Sequence, residues 1–167
     1  MENTEDTQQH ARRPGHERGR KDAESSPHAV SARDVDEAAQ RLSHVARLTA
    51  VDEIDRLTEA AGVRVLVKRE DQQVVRSFKL RGAYNRMAQL SESERQAGVV
   101  CASAGNHAQG VAMACAQLGI HGTIFLPSST PRQKRRRIAT IGGPWITMQF
   151  VDGTFDETQA VALATAE

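Results

Sequence analysis

The sequence predicts an α/β fold, a parallel sheet with flanking helices, and three observations carry that prediction. From Gly98 onward, short apolar runs alternate with helix-length amphipathic stretches, at a spacing that suits right-handed strand–helix–strand crossovers. The helical stretches carry stop signals, Gly119 and Gly142-Gly143. Two helices open on Ser/Thr-x-x-Glu capping boxes, Ser91 with Glu94 and Thr154 with Glu157.

Met1 to about Pro27 holds almost no large apolar residue and mixes Glu2, Glu5, Asp6, Glu17 and Glu24 with Arg12, Arg13, Arg18, Arg20 and Lys21. Such a segment cannot bury enough surface to offset its ordering entropy, so residues 1–30 are expected to be a disordered tail. Ser31 with Asp34 fits a helix start, and Val35, Ala38, Ala39, Leu42, Val45 and Leu48 follow at helical spacing. Ile54, Leu57 and Ala61 predict a second short helix, ended by Gly62. Val63 to Lys68 reads as a strand, Phe78 to Leu90 as a helix, and the capping box at Ser91 as a short helix stopping at Gly98. The regular part follows: strand Gly98–Ala102, helix His107–Leu118, strand Gly122–Leu126. Next come a helix with Thr130 as cap and Pro131 as first residue, strand Trp145–Val151, and helix Phe155–Ala166.

The 167 residues suffice for one domain of ordinary size, and aromatics are only 4% of them, so Ala, Val, Leu and Ile must build the core. A net charge of +1 points to neither a nucleic acid nor a membrane partner. No apolar run approaches the roughly 20 residues of a membrane span, and nothing resembles a signal or transit peptide. Cys101 and Cys115 lack metal or redox spacing, and Cys115 reads as a small buried residue on a helix. A cytoplasmic location is the default expectation.

Two segments carry chemistry. Val74 to Ala83 places Lys79 at the start of a helix, with Ser77 able to cap, Phe78 able to pack, and Gly82-Ala83 leaving room for close approach. A Schiff-base lysine needs its ammonium form disfavoured, which a helix N-terminus or burial provides. A first-turn lysine is otherwise an ordinary solvated residue. Ser103-Ala104-Gly105-Asn106 lies between a strand's C-terminal end and a helix's N-terminus, where ligands bind in open α/β sheets and free N–H groups favour an anion. The bland reading is a turn in which Asn106 or Ser103 caps the helix. His107 reads more naturally as a helix-start residue than as a base. The loop matches neither G-x-G-x-x-G nor the Walker pattern.

Lys68-Arg69-Glu70-Asp71, Ser77-Phe78-Lys79-Leu80-Arg81-Gly82-Ala83 and Ser103-Ala104-Gly105-Asn106-His107-Ala108-Gln109-Gly110 resemble the threonine ammonia-lyases (biosynthetic threonine dehydratases). These belong to the tryptophan-synthase-β-like, fold type II, pyridoxal-phosphate (PLP) enzymes. Thr130-Pro131-Arg132-Gln133-Lys134 and Gly142-Gly143 also fit, and the similarity runs from about His44 to the end.

The resemblance implies that Lys79 forms the Schiff base with pyridoxal 5′-phosphate and later moves the α-proton. It implies that Ser103, Gly105, Asn106 and His107 hold the substrate carboxylate, with Asn106 also near the cofactor's 3′-oxygen. The implied reaction converts L-threonine to 2-oxobutanoate and ammonia, a step of isoleucine biosynthesis. Residues 31–97 would be the N-terminal part of the large domain and 98–167 the small domain. Thr49-Ala50-Val51 departs from the usual Thr-Pro-Leu, and Pro144-Trp145 follows the glycine pair where an acidic residue is usual.

The family's later glycine-rich phosphate cradle, its hydroxyl or thiol partner for the pyridine nitrogen, and most of its large domain have no counterpart in these 167 residues. The expectation is a truncated protein or N-terminal fragment that binds PLP weakly and turns over poorly alone. A serine dehydratase or serine racemase relative is the alternative enzyme. A remnant pairing with a full-length homologue or a separate C-terminal half is the non-catalytic alternative. A homo-oligomer stays open. The basic run Arg132, Lys134, Arg135, Arg136 and Arg137 reads as a solvated helix face, because no aromatic platform accompanies it.

Overall fold

The computed structural model describes residues 29–166, and residues 32–167 group into one compact unit. The expected tail, residues 1–30, lies outside the described residues except for its last two.

Helix α1 (Ala32–Leu42) leads through a turn and an extended segment to strand β1 (Val51–Glu53). Helix α2 (Asp55–Ala61) closes on Gly62, whose φ of 66° is the left-handed conformation that suits glycine at a helix end. Strand β2 (Leu66–Lys68) then pairs antiparallel with β1, Asp52 opposite Val67. A 3-10 turn (Glu70–Gln72) leads to α3 (Lys79–Met87) and α4 (Glu92–Ala97). Ser91 and Glu94 form the expected capping box at the start of α4.

From here strand and helix alternate: β3 (Val99–Ala102), α5 (Asn106–Leu118), β4 (Gly122–Pro127), α6 (Arg132–Gly142), β5 (Ile146–Val151) and α7 (Phe155–Ala166). The three strands are parallel in the order β3-β4-β5, with Cys101 opposite Ile124 and Ile124 opposite Met148. Helices α5 and α6 pack on each other, and α7 packs on β3 and β4. The central strand is covered on both sides: Ile124, Phe125 and Leu126 are all buried. The predicted parallel α/β arrangement is thus present.

Helix α5 is the hub. Ala108 to Cys115 are buried without a break, as suits a helix packed on several sides, and Ala108, Gly110, Ala112 and Ala114 keep that packing close. Val111, Ala114 and Cys115 join Leu80, Ala83, Tyr84 and Met87 of α3 in one cluster. Ala108 and Ala112 join Ile124, Leu126 and Ile138 in another.

The structure departs from the sequence reading in three places. The first helix stops at Leu42 rather than running on to Leu48, which is 99% exposed. Beyond Leu42 the chain turns so that the Arg47 peptide can pair with Gln73. Strand β1 carries one apolar residue in three and so no alternation signal, and its antiparallel partner is shorter than the expected Val63–Lys68. Thr130 does not cap α6: the N-cap is Pro131, whose carbonyl accepts from Lys134 and Arg135. Pro131 itself has an extended ψ of 139°, so the helix starts one residue later and Thr130 falls outside the capping position. Its hydroxyl is buried and has no hydrogen-bond partner among the described residues.

Candidate active site

Lys79 is the first residue of α3, as expected, and its side chain is exposed. Its N–H donates to the Ser77 hydroxyl at 3.2 Å, and its ammonium lies 5.1 Å from the centre of the Phe78 ring. The approach to this turn is made by Arg76, which has a φ of 56°, a left-handed conformation uncommon outside glycine. The backbone of Lys79 lies directly against α5. A β-carbon on Gly110 would come within 3.0 Å of the Lys79 carbonyl oxygen. Only glycine lets the two helices meet this closely without displacing one of them.

The loop after β3 sits at the C-terminal edge of the parallel sheet, where Ser103 N–H continues the ladder to Phe125. Gly105 is the N-cap of α5. The Ser103 hydroxyl accepts from the N–H groups of Gly105 and Ala108, both at 3.3 Å. Ser103 therefore does the capping. The first-turn N–H groups of Asn106 and His107 are left without a partner inside the helix. Those donors, with the helix dipole behind them, favour a carboxylate or phosphate. Asn106 and His107 are both exposed. Partial burial, and then the positive charge of Lys79, hold His107 below its ordinary value. His107 also lines two clefts: one of about 340 Å³ with Gly82, Met87 and Cys101, another of about 280 Å³ with Phe155 and Leu163. The α3–α5 contact thus brings Lys79 to the same region as His107 of the Ser103–His107 loop.

A carboxylate absent from the expected site organises the approach to Lys79. Arg81 donates to both oxygens of Glu70, Nε to Oε2 at 2.8 Å and Nη2 to Oε1 at 2.9 Å. Thr49 Oγ1 donates to the same carboxylate at 2.8 Å, and Gln73 Nε2 approaches it at 3.3 Å. Gln73 in turn clasps the Arg47 peptide, donating to its carbonyl at 2.9 Å and accepting from its N–H at 3.0 Å. The Arg81 hydrogen bond is the largest cause of a Glu70 carboxyl held down at about 2. Arg81 therefore does not add free positive charge beside Lys79. The sequence signal was the acidic residue of Lys68-Arg69-Glu70-Asp71, but nothing in the spacing from 70 to 81 announces a pairing made by a turn.

Burial pushes Cys101 up to about 11, and burial, with Cys101 nearby, does the same to Cys115. Neither thiol is a nucleophile at neutral pH. Within the basic run, the Arg135 guanidinium lies over the Phe150 ring, 5.2 Å from its centre.

The family model of pyridoxal-phosphate dependent enzymes matches residues 42–167. The chain is 50% identical over 144 residues to the biosynthetic L-threonine dehydratase IlvA of Mycobacterium tuberculosis, covering 86% of this chain and 34% of that protein. The Bacillus subtilis protein of the same name is 47% identical over 138 residues, covering 83% and 33%. The chain thus spans about a third of the length of the curated relatives it matches. Among solved structures, the processed form of threonine deaminase isoform 2 from Solanum lycopersicum superposes with a TM-score of 0.68 at 41% identity, over 80% of this chain and 38% of that one. Maize serine racemase gives 0.70 at 28% identity, over 78% and 39%. No helix among the described residues is long and apolar enough to cross a membrane.

Proposed function

The chain belongs to the pyridoxal-phosphate-dependent enzyme family, and from that premise we propose that it is the N-terminal portion of a cytoplasmic threonine ammonia-lyase, converting L-threonine to 2-oxobutanoate and ammonia. The observation that carries this reading is the close contact of α5 with the Lys79 backbone, which sets an exposed first-turn lysine beside an anion-favouring helix start. In this division, residues 31–97 contribute to the large domain and 98–167 to the small one.

The residues present fit the aldehyde and ring end of PLP. Side chains placed at Gly82 and Gly105 would meet nothing within 4 Å, so the space beside the lysine's helix and beside the loop is open. The sequence's one adjacent glycine pair, Gly142-Gly143, is spent on ending α6 and supplies no phosphate cradle. When bound, PLP supplies an electron sink for the pair left at the substrate's Cα.

The chain's own residues do the rest. Lys79 would hold the cofactor through its side-chain amine and, when that amine is free, would hold or move the proton at the substrate's Cα. The N–H groups of Asn106 and His107 bind the substrate carboxylate, and Ser103 and Gly105 shape the loop that presents them. The Asn106 amide, a neutral donor and acceptor, suits the cofactor's ring oxygen.

L-Serine is the second substrate candidate, favoured by the likeness to maize serine racemase. Association with a C-terminal half, or with a full-length homologue, would supply the phosphate site. The test is 2-oxobutanoate formation from L-threonine with PLP, by the chain alone and mixed with the C-terminal remainder of the Mycobacterium tuberculosis relative. Lys79-dependent product in either case supports the reading. Product indifferent to Lys79→Ala, or none in both, overturns it.

A further inference from the structure

We propose that Glu70 is a positioning residue for Lys79, acting through Arg81; this deepens, and rests on, the reading of Lys79 as the cofactor lysine. Three separate stretches of chain meet at one carboxylate: Thr49, the 3-10 turn that carries Glu70 with Gln73 beside it, and the first turn of α3. Helix α3 has no side-chain N-cap bond at Phe78, and beyond the Ser77 hydroxyl that accepts from the Lys79 N–H its start needs further anchors.

Arg81 provides them. It lies two residues after Lys79, and at about 100° per residue the two side chains leave the helix roughly 200° apart. A two-pronged bond from Arg81 to Glu70 therefore sets the rotation of the first turn, and with it the direction in which Lys79 leaves on the opposite side. The Lys79 peptide is held from α5 by the close approach of Gly110. The lysine is fixed between a backbone contact and an ion-pair clamp. The clamp is well anchored: the Glu70 side chain is only 15% exposed and Gln73 only 2%.

The test is made on the whole chain, with Glu70→Gln, Arg81→Gln and the double variant, each checked for folding by circular dichroism and thermal melting. Glu70→Asp stands in should Glu70→Gln fail to fold. PLP is added, the bond is reduced with borohydride, and the adduct at Lys79 is quantified against Lys134 by peptide mass mapping. Each single variant is expected to lower the Lys79 adduct at least about ten-fold, with the double variant no worse than either, as for two residues acting as one unit. A folded Glu70→Gln chain that forms the Lys79 adduct as the wild type does overturns the proposal.

A second readout omits PLP altogether: trace acetylation, read as the Lys79-to-Lys134 ratio. Release of the clamp is expected to change this ratio by at least about two-fold, and an unchanged ratio overturns the proposal. If the wild-type chain forms no Lys79 adduct, alone or mixed with the C-terminal remainder of the Mycobacterium tuberculosis relative, the functional reading fails, and the acetylation ratio alone decides the role of Glu70.

Discussion

The Lys79 carbonyl oxygen lies 3.0 Å from where a β-carbon on Gly110 would stand, and the neighbouring Leu80 nitrogen 3.2 Å from it. Gly110 is thus the reason α5 can lie flat against the first turn of α3. The contact joins the two segments whose residues carry the proposed chemistry.

Gly110→Ala is therefore expected to destabilise the chain by about 1–3 kcal/mol, because a backbone, unlike a flexible side chain, cannot swing away from the added methyl. Urea unfolding measures this. Gly82→Ala is the control, since its added methyl meets nothing within 4 Å and should raise stability by up to ~1 kcal/mol through helix propensity alone. Equal effects at the two positions would contradict the close-contact account.

The Glu70 clamp makes a pH prediction with a definite sign. Its folded value is depressed from 4.5 to about 2. Stability from Glu70 is therefore fully present above about pH 4.5 and is lost as pH falls towards 2. The stability difference between wild type and Glu70→Gln should be greatest near neutrality and shrink below pH 4.5. A difference that stays constant through that window would show that the carboxylate's charge is not what holds Arg81.

The two buried thiols predict chemical silence. Both are pushed from 9.0 to about 11, so their thiolate fraction at pH 8 should be about 100-fold below that of the unfolded chain. Labelling by iodoacetamide should be slow in the native chain and fast in urea. Rapid native labelling at Cys101, which lines both clefts beside His107, would mean that the strand edge opens.

Arg76 holds its left-handed conformation three residues before the start of α3, with an exposed side chain. Arg76→Gly should relieve the steric cost and raise stability by up to ~1 kcal/mol, less what glycine loses in chain entropy. A loss of stability instead would assign the side chain a contact of its own.

The sequence was most readable where local signals and global fold agree. Ser91 with Glu94, Thr154 with Glu157, and the stops at Gly62, Gly119 and Gly143 all act as their chemistry predicts. The alternation from β3 to α7 gave the parallel sheet. Strand β1 was invisible because Val51-Asp52-Glu53 owes its conformation to pairing with Leu66–Lys68, a tertiary effect. Lys79 was legible as a helix-start lysine: the helix starts within a residue of the expectation, though it ends at Met87 rather than Leu90. The clamp around Glu70 was not, since it joins residues 47, 49, 70, 73 and 81 through a turn that no periodicity encodes. Thr130 shows the converse: a good capping residue in sequence, displaced by the proline that follows it.

The most direct test of the central claim is a PLP titration of the purified chain, followed by borohydride reduction and peptide mass mapping, with Lys79→Ala as control. The account predicts an adduct confined to Lys79 and lost in the variant. An adduct spread over Lys21, Lys68 and Lys134 as well, or one unchanged by Lys79→Ala, would contradict it.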